Sequence, residues 1–154
     1  VLMAPVSTVL KKELLSVPFF GWGLRMVQPI AIDRSQRTNA LKQIISQGKE
    51  RLEDGRSVLI FPEGTRIAPN EEQAFNKGAA MLATSANVPI LPVVHNAGYV
   101  WPGKRWRKFP GSIRVVIGPI IESEGKKTSQ LHDEMDAWMR TEMAKLPKGN
   151  DFLF

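Results

Sequence analysis

The sequence contains no cysteine, which excludes disulfide bonds and thiolate metal ligands. It also has no apolar run of about 18 residues, the length that a membrane-spanning helix needs. The nearest candidate, residues 14–27, is shorter and contains Pro18, Gly21, Gly23 and Arg25. No charged segment followed by an apolar stretch and a small-residue cleavage site opens the chain, so we expect no signal peptide.

The composition is that of a folded domain with a basic surface. Hydrophobic residues make up 43% of the 154 residues and charged residues 23%, which predicts a real core and a single domain over residues 1–154. Lysine and arginine exceed the acidic residues by 21 to 15, giving a net charge of +6. This charge favours phosphate-bearing partners, whether nucleic acid, an anionic lipid surface or a phosphorylated small molecule.

Short apolar runs alternate with amphipathic stretches, and this order indicates an α/β fold with a mixed, largely parallel sheet flanked by helices. Strands are predicted at residues 6–10, 29–32, 57–61, 89–94 and 112–117. Helices are predicted at residues 35–53, with Ser35 as N-cap, 77–86 and 128–145. Because the 57–61 run is continuously apolar, we expect a central strand buried on both faces. Ligands of such sheets bind beyond the carboxyl ends of the strands, which directs attention to the loop after Phe61.

That loop begins with Phe61-Pro62-Glu63-Gly64-Thr65-Arg66. Gly64 permits close approach of the backbone to a ligand, and Arg66 offers a planar fork suited to a phosphate. Glu63 can pair with Arg66 or orient another donor. A turn held by a Glu63–Arg66 pair, with no ligand, explains the same residues, and chemistry alone leaves both interpretations open.

As a string, this hexapeptide resembles the third motif of the glycerolipid acyltransferase family. Four further blocks agree with that family in order and spacing: Lys12-Glu13-Leu14-Leu15 followed by Val17-Pro18-Phe19-Phe20-Gly21-Trp22, Ile32-Asp33-Arg34, Phe75-Asn76-Lys77-Gly78, and Val88-Pro89-Ile90-Leu91-Pro92-Val93. The resemblance runs from about Val9 to about Pro119 and is greatest to bacterial members that make phosphatidic acid.

The resemblance implies a glycerol-3-phosphate-acyltransferase-like fold and transfer of a fatty acyl group from acyl-ACP or acyl-CoA to the sn-2 hydroxyl of 1-acyl-glycerol-3-phosphate. It implies no cofactor and no metal. The arginines of the family's second and third motifs are associated with the acceptor's phosphate, and here they are Arg34 and Arg66. The other residues that match the family's binding elements are Glu63, Gly64, Thr65 and Lys77 around the phosphate, and Pro92 in the acyl or acceptor pocket.

The family's catalytic His-x4-Asp motif has no match in this sequence. The residue five positions after His95 is Val100, and the residue five positions after His132 is Ala137. In the family, the His is the general base on the acceptor hydroxyl and the Asp orients it. The motif precedes the Lys12–Trp22 block, so we expect it upstream of Val1 and expect the chain to be an N-terminally truncated, inactive domain. A naturally inactive relative is the alternative.

Each histidine has two interpretations. His95 ends a predicted strand beside Asn96, where it either lines the pocket or serves as a hydrogen-bonded structural residue. His132 and Asp133 are adjacent on a predicted helix and therefore point in different directions, which favours a solvated helix face over a catalytic pair.

Residues 101–109 mix three aromatic residues with four cations. They form either a peripheral docking loop on an anionic membrane or a solvated basic loop with one Trp in the core. For the second aromatic segment, residues 19–22, we expect burial. The resemblance implies the cytoplasmic face of the bacterial inner membrane as the location. A non-catalytic binder of anionic lipid or phosphate remains the alternative function, and without a helix-turn-helix, zinc finger or RNP-like segment we expect no nucleic-acid binding.

Overall fold

The earliest strand in the sequence is the middle strand of a parallel sheet. β1 (Val6–Lys11) pairs in parallel with β2 (Ile30–Ile32) on one side and β3 (Ser57–Leu59) on the other. The computed structural model describes residues 5–33, 37–65, 67–68, 71, 73–103, 106 and 108–148. The predicted α/β architecture with parallel pairing is confirmed.

The prediction of a central strand at 57–61 is wrong. Among the described strands β3 lies at the edge of its sheet, and Leu59 and Phe61 are exposed. An apolar run reports a preference for strand geometry, but strand order depends on which distant segments pair with it. The central position belongs to β1, whose Ser7 is fully buried and whose hydroxyl accepts a hydrogen bond from Arg56 at 2.9 Å.

The three long helices match their predicted positions closely. α2 (Arg37–Glu53), α3 (Gly78–Ala86) and α5 (Thr128–Lys145) carry apolar residues at helical spacing. The proposed N-cap Ser35 lies outside the described residues. Before these three helices in the sequence, a 3₁₀ turn at Lys12–Ser16 leads into a short helix, α1 (Phe20–Met26). No helix of the described part of the chain is both long and apolar enough to cross a bilayer.

Two apolar clusters meet at α3. One joins the parallel sheet to α2 through Ile30, Ile32, Ile44 and Leu82. The other packs α3 against α5 through Ala80, Ala83, Leu131, Met135 and Met139. Because Leu82 belongs to the first cluster and Ala80 and Ala83 to the second, α3 connects the parallel sheet to the carboxyl-terminal helix.

A second, antiparallel sheet follows α3. β4 (Val93–His95) pairs with β5 (Val115–Ile117), and an isolated bridge between Ile90 and Ile121 extends the pairing. The strands predicted at 89–94 and 112–117 are therefore present but shorter. Val93 is exposed and Val94 is buried, so β4 alternates in the manner of a strand with one solvated face. The segment between β4 and β5 contains a helical turn, α4 (Ala97–Val100).

The expected burial of residues 19–22 is also wrong. Phe19 is 79% exposed and Trp22 is 62% exposed, and their rings contact each other edge to face with centroids 5.1 Å apart. Gly21 is the buried residue of α1, because its Cα lies against the carbonyl of Leu15. α1 therefore packs on the 3₁₀ turn through a glycine and turns its aromatic side chains outward.

Candidate functional site

The carboxyl ends of all three parallel strands face the same edge of the sheet. β2 is in register with the second half of β1, Lys11 opposite Ile32, and β3 with the first half, Thr8 opposite Leu59. The segment after Ile32 and the loop after Leu59 therefore leave from one edge. This is the edge at which parallel α/β sheets place their ligands.

A tight turn opens the loop after β3. The Gly64 N–H donates to the carbonyl of Phe61 at 3.0 Å, and Gly64 adopts a φ of 69°. Pro62 occupies the position that favours a fixed φ, and glycine tolerates the left-handed conformation that other residues avoid. The turn thus presents Glu63 and the exposed Thr65 on a defined backbone.

The segment before α3 holds this turn in place. Asn76 donates twice to the Pro62 carbonyl, from its backbone N–H at 2.8 Å and from Nδ2 at 3.0 Å. The Gln73 amide donates to the Glu63 carbonyl at 3.1 Å. A Cβ at Gly64 would lie 2.9 Å from Asn76 Nδ2, so a larger residue would force this contact to shift. Lys77, exposed and directly after Asn76, therefore stands beside the turn.

Glu63 and His95 interact across the two sheets. Burial raises the pKa of Glu63, and the charge of His95 acts in the opposite direction with a smaller effect. His95 Nδ1 accepts a hydrogen bond from the Ala97 N–H at 3.3 Å. The end of β4 thus brings an imidazole within electrostatic reach of the turn.

Two other predicted positions are structural in the contacts they make. Pro92 is buried, and its carbonyl accepts a hydrogen bond from Gly118 at 2.9 Å. His132 is buried in α5, and its Nδ1 has no hydrogen-bond partner among the described residues. The interpretation as a solvated helix face is therefore wrong for His132, although Asp133 is exposed. Leu131 and Met135 beside it are buried in the core, and this apolar side of α5 takes in His132 as well.

Arg34 and Arg66 lie outside the described residues. The residue preceding Arg34 is held from α2: the Asp33 N–H donates to Gln43 Oε1 at 2.9 Å. One turn along α2, Gln47 bonds both the N–H and the carbonyl of Ala31 at 3.1 Å, as a neighbouring strand would. Sequence reasoning missed these glutamines. Their spacing of four residues on one helix face is the only signal that points to them.

One surface groove among the described residues lies away from this edge. It is lined by residues from the carboxyl-terminal ends of α2 and α3 and the segment after α3, namely Lys49, Leu52, Glu53, Ser85, Ala86 and Val88. It contains none of the predicted site residues. Of the predicted site residues that the structure describes, Glu63, Gly64 and Thr65 follow β3 at the carboxyl ends of the parallel strands.

Comparison with known proteins places this architecture in a class. The crystal structure of the 1-acyl-sn-glycerophosphate (LPA) acyltransferase PlsC from Thermotoga maritima matches with a TM-score of 0.72, over 92% of this chain and 56% of that chain, at 23% identity. The chain therefore has the α/β fold of that acyltransferase. A family model described as Acyltransferase matches residues 1–96, and the chain belongs to this acyltransferase family.

Two curated relatives are likewise named as acyltransferases. The chain is 50% identical to a 1-acyl-sn-glycerol-3-phosphate acyltransferase of Pseudomonas aeruginosa, over 92% of this chain and 56% of the relative. It is 32% identical to 1-acyl-sn-glycerol-3-phosphate acyltransferase alpha of Mus musculus, over 76% of this chain and 42% of the relative. The chain spans about half the length of these relatives.

Proposed function

We propose that the protein containing this chain transfers a fatty acyl group from acyl-ACP or acyl-CoA to the sn-2 hydroxyl of 1-acyl-glycerol-3-phosphate, giving phosphatidic acid. The observation that carries the proposal is the turn at residues 62–65, which lies at the carboxyl ends of the strands and whose carbonyls accept hydrogen bonds from Gln73 and Asn76. Family membership and the 50% identity to an enzyme named for this substrate support it.

In this proposal the turn and its neighbours bind the acceptor's phosphate. In the sequence, Arg66 follows the turn directly, and Arg34 follows Asp33, the residue whose N–H donates to Gln43. Asp33 and the turn both lie beyond the carboxyl ends of their strands. Guanidinium groups suit a phosphate because their parallel N–H groups donate to two oxygens. Lys77 adds a third cation beside the turn.

The acid–base chemistry requires a group that these residues do not supply. We propose that the family's His-x4-Asp pair lies upstream of Val1 in the complete protein and that the 154-residue chain alone does not turn over. The His would take the proton of the acceptor hydroxyl, whose oxygen then attacks the acyl thioester and releases the thiol. The role of this chain is to bind and orient the acceptor.

Acyl transfer by the complete protein tests the assignment, with acyl-ACP and acyl-CoA as parallel donors. We expect Arg34→Ala and Arg66→Ala each to raise KM for 1-acyl-glycerol-3-phosphate roughly tenfold to a hundredfold, the effect of losing a charged hydrogen bond. Lys42→Ala, which removes an exposed cation from α2, should leave KM unchanged. Unchanged KM in both arginine variants, with vesicle binding lost only after neutralising residues 104–108, would favour the non-catalytic lipid binder.

We also propose that the protein works at an anionic membrane surface, on the cytoplasmic face of the bacterial inner membrane. Exposed aromatic side chains support this, since Trp106 is 96% exposed, and Trp22 of α1 and Phe19, directly before α1, are also exposed. Lys108 lies 4.6 Å from the ring centre of Trp101, so a cation accompanies an exposed indole. Tryptophan favours the headgroup zone and lysine is attracted to anionic lipid. Within the 101–109 segment, residues 104, 105 and 107 lie outside the described part of the chain.

A further inference from the structure

The last helix of the fold contacts the segment that holds the turn. Arg140 of α5 donates from Nη2 to the carbonyl of Gln73 at 3.2 Å. Its guanidinium carbon lies 4.9 Å from the ring centre of Phe75, and its Nε donates to Asp136 Oδ2 at 2.9 Å. One side chain thus contacts an aspartate of its own helix, a backbone carbonyl 67 residues earlier and a buried aromatic ring.

The same segment contacts the turn on its other side. The Gln73 side chain donates to the Glu63 carbonyl, and Asn76 donates twice to the Pro62 carbonyl. Phe75, between them in sequence, is anchored in the core cluster with α5. Residues 73–76 therefore form a bracket whose one side is fixed by Arg140 and whose other side fixes the backbone of the turn.

We propose that Arg140 is a positioning residue for the phosphate-binding turn and acts on Pro62 and Glu63 through the 73–76 bracket. The identity of the ligand rests on the function proposed above, whereas the mechanical coupling does not. Arg140 lies beyond the matched region of residues 1–96, so the coupling joins the family's recognisable part to a helix outside it.

The chemistry of the contacts favours a specific coupling over general packing. Each hydrogen bond that links Arg140 to the bracket, or the bracket to the turn, has a backbone carbonyl as its acceptor. Loss of one donor therefore frees a backbone segment and removes no apolar side chain from the core. The guanidinium is planar and charged, and it donates to Gln73 while covering the Phe75 ring. Gly64, whose left-handed conformation closes the turn, has Asn76 directly beside it. A shift of the bracket therefore changes the turn itself.

Hydrogen exchange and steady-state kinetics of the complete protein test the proposal. Arg140→Met removes the donors and keeps an unbranched apolar chain, and Gln73→Met removes the amide that reaches Glu63. Arg51→Met is the matched control, because Arg51 donates to the Gln28 carbonyl at 3.1 Å and pairs with Glu50 of its own helix, away from the turn.

We expect about tenfold faster amide exchange at residues 63–65 in Arg140→Met and Gln73→Met, the size of one lost charged or partly buried hydrogen bond, and no change there in Arg51→Met. KM for 1-acyl-glycerol-3-phosphate should rise several-fold while kcat changes little. Arg140→Lys should partly reverse both the rise in KM and the faster amide exchange. A lowered melting temperature with unchanged exchange at the turn would overturn the proposal. So would an effect of Arg140→Met without one of Gln73→Met. If the wild type does not acylate this acceptor, the proposed function fails, and the exchange comparison still decides the coupling.

Discussion

At the turn after β3, one carboxyl group combines partial burial with a position at the site. Desolvation raises the pKa of Glu63 because burial disfavours the charged form, and the nearby His95 offsets only part of this effect. Partial burial of this carboxyl group is therefore a desolvation cost that the fold bears at the turn.

Replacing Glu63 by Gln should remove this burial penalty. The pKa of Glu63 in the folded state lies above its ordinary value of 4.5, so the native state binds more protons than the unfolded state. The free energy of unfolding therefore falls as pH rises from the ordinary pKa through the folded-state pKa. Urea unfolding from below pH 4.5 to neutral pH should show Glu63→Gln more stable than the wild type at neutral pH and equal to it in acid. Exposed Glu122→Gln serves as control. A pH-independent difference for Glu63→Gln would contradict the expectation.

At the scale of residues, a contiguous motif can be read from the sequence and a distant contact cannot. The string around Glu63, Gly64 and Thr65 predicts a turn, which the structure has, and the binding role of these residues stays a prediction. Gln73 and Arg140 are not, because each bonds to a backbone carbonyl, and a carbonyl acceptor imposes no residue type on its partner. Such donors leave no local pattern in one sequence.

Among the elements, helices are predictable and strand order is not. α2, α3 and α5 follow from apolar residues at helical spacing, a local property. The apolar run of β3 resembles a buried strand and so predicts a central position, whereas β1 occupies that place by pairing with partners 21 and 51 residues later. Pairing at such distances depends on the whole chain. The exposure of α1 escapes prediction because its aromatic residues indicate burial.

Two glycines of α1 give opposite expectations. A Cβ at Gly21 would lie 2.3 Å from the Leu15 carbonyl, so Gly21→Ala must push α1 off the 3₁₀ turn and should destabilise the protein by about 1–3 kcal/mol. Outside its own helix backbone, a Cβ at Gly23 would meet no atom of the described residues within 4 Å. Alanine there should be neutral or stabilising by up to about 1 kcal/mol. Urea midpoints of the two variants provide the comparison. Equal effects would mean that α1 does not pack as described.

For the molecule as a whole, the net charge and the outward aromatic side chains favour one kind of surface. The chain carries +6, and Phe19, Trp22 and Trp106 are all more than half exposed. Transfer of apolar side chains out of water lowers the free energy of binding, and so does the attraction of cations to anionic headgroups. The two contributions differ in salt dependence, since only the second is screened.

Vesicle sedimentation should separate these contributions. We expect Trp22→Ala to weaken binding to anionic vesicles about tenfold or more at any ionic strength, because one exposed aromatic side chain contributes roughly 1.5–3 kcal/mol on burial. Binding of the wild type should fall as salt rises and be weak on neutral vesicles. Met143→Ala, at a partly exposed apolar position on α5, is the control. Equal losses in the two variants would argue against docking through α1.

The order of strands also has a consequence for synthesis. β1 (Val6–Lys11) leaves the ribosome before β2 and β3 do. It cannot form hydrogen bonds on both sides until Leu59, the last residue of β3, has also emerged. During that interval a strand with free hydrogen-bonding groups on both sides is open to incorrect association. Nascent chains stalled before residue 57 should therefore depend on chaperones more than those stalled after α2 and β3 have both emerged.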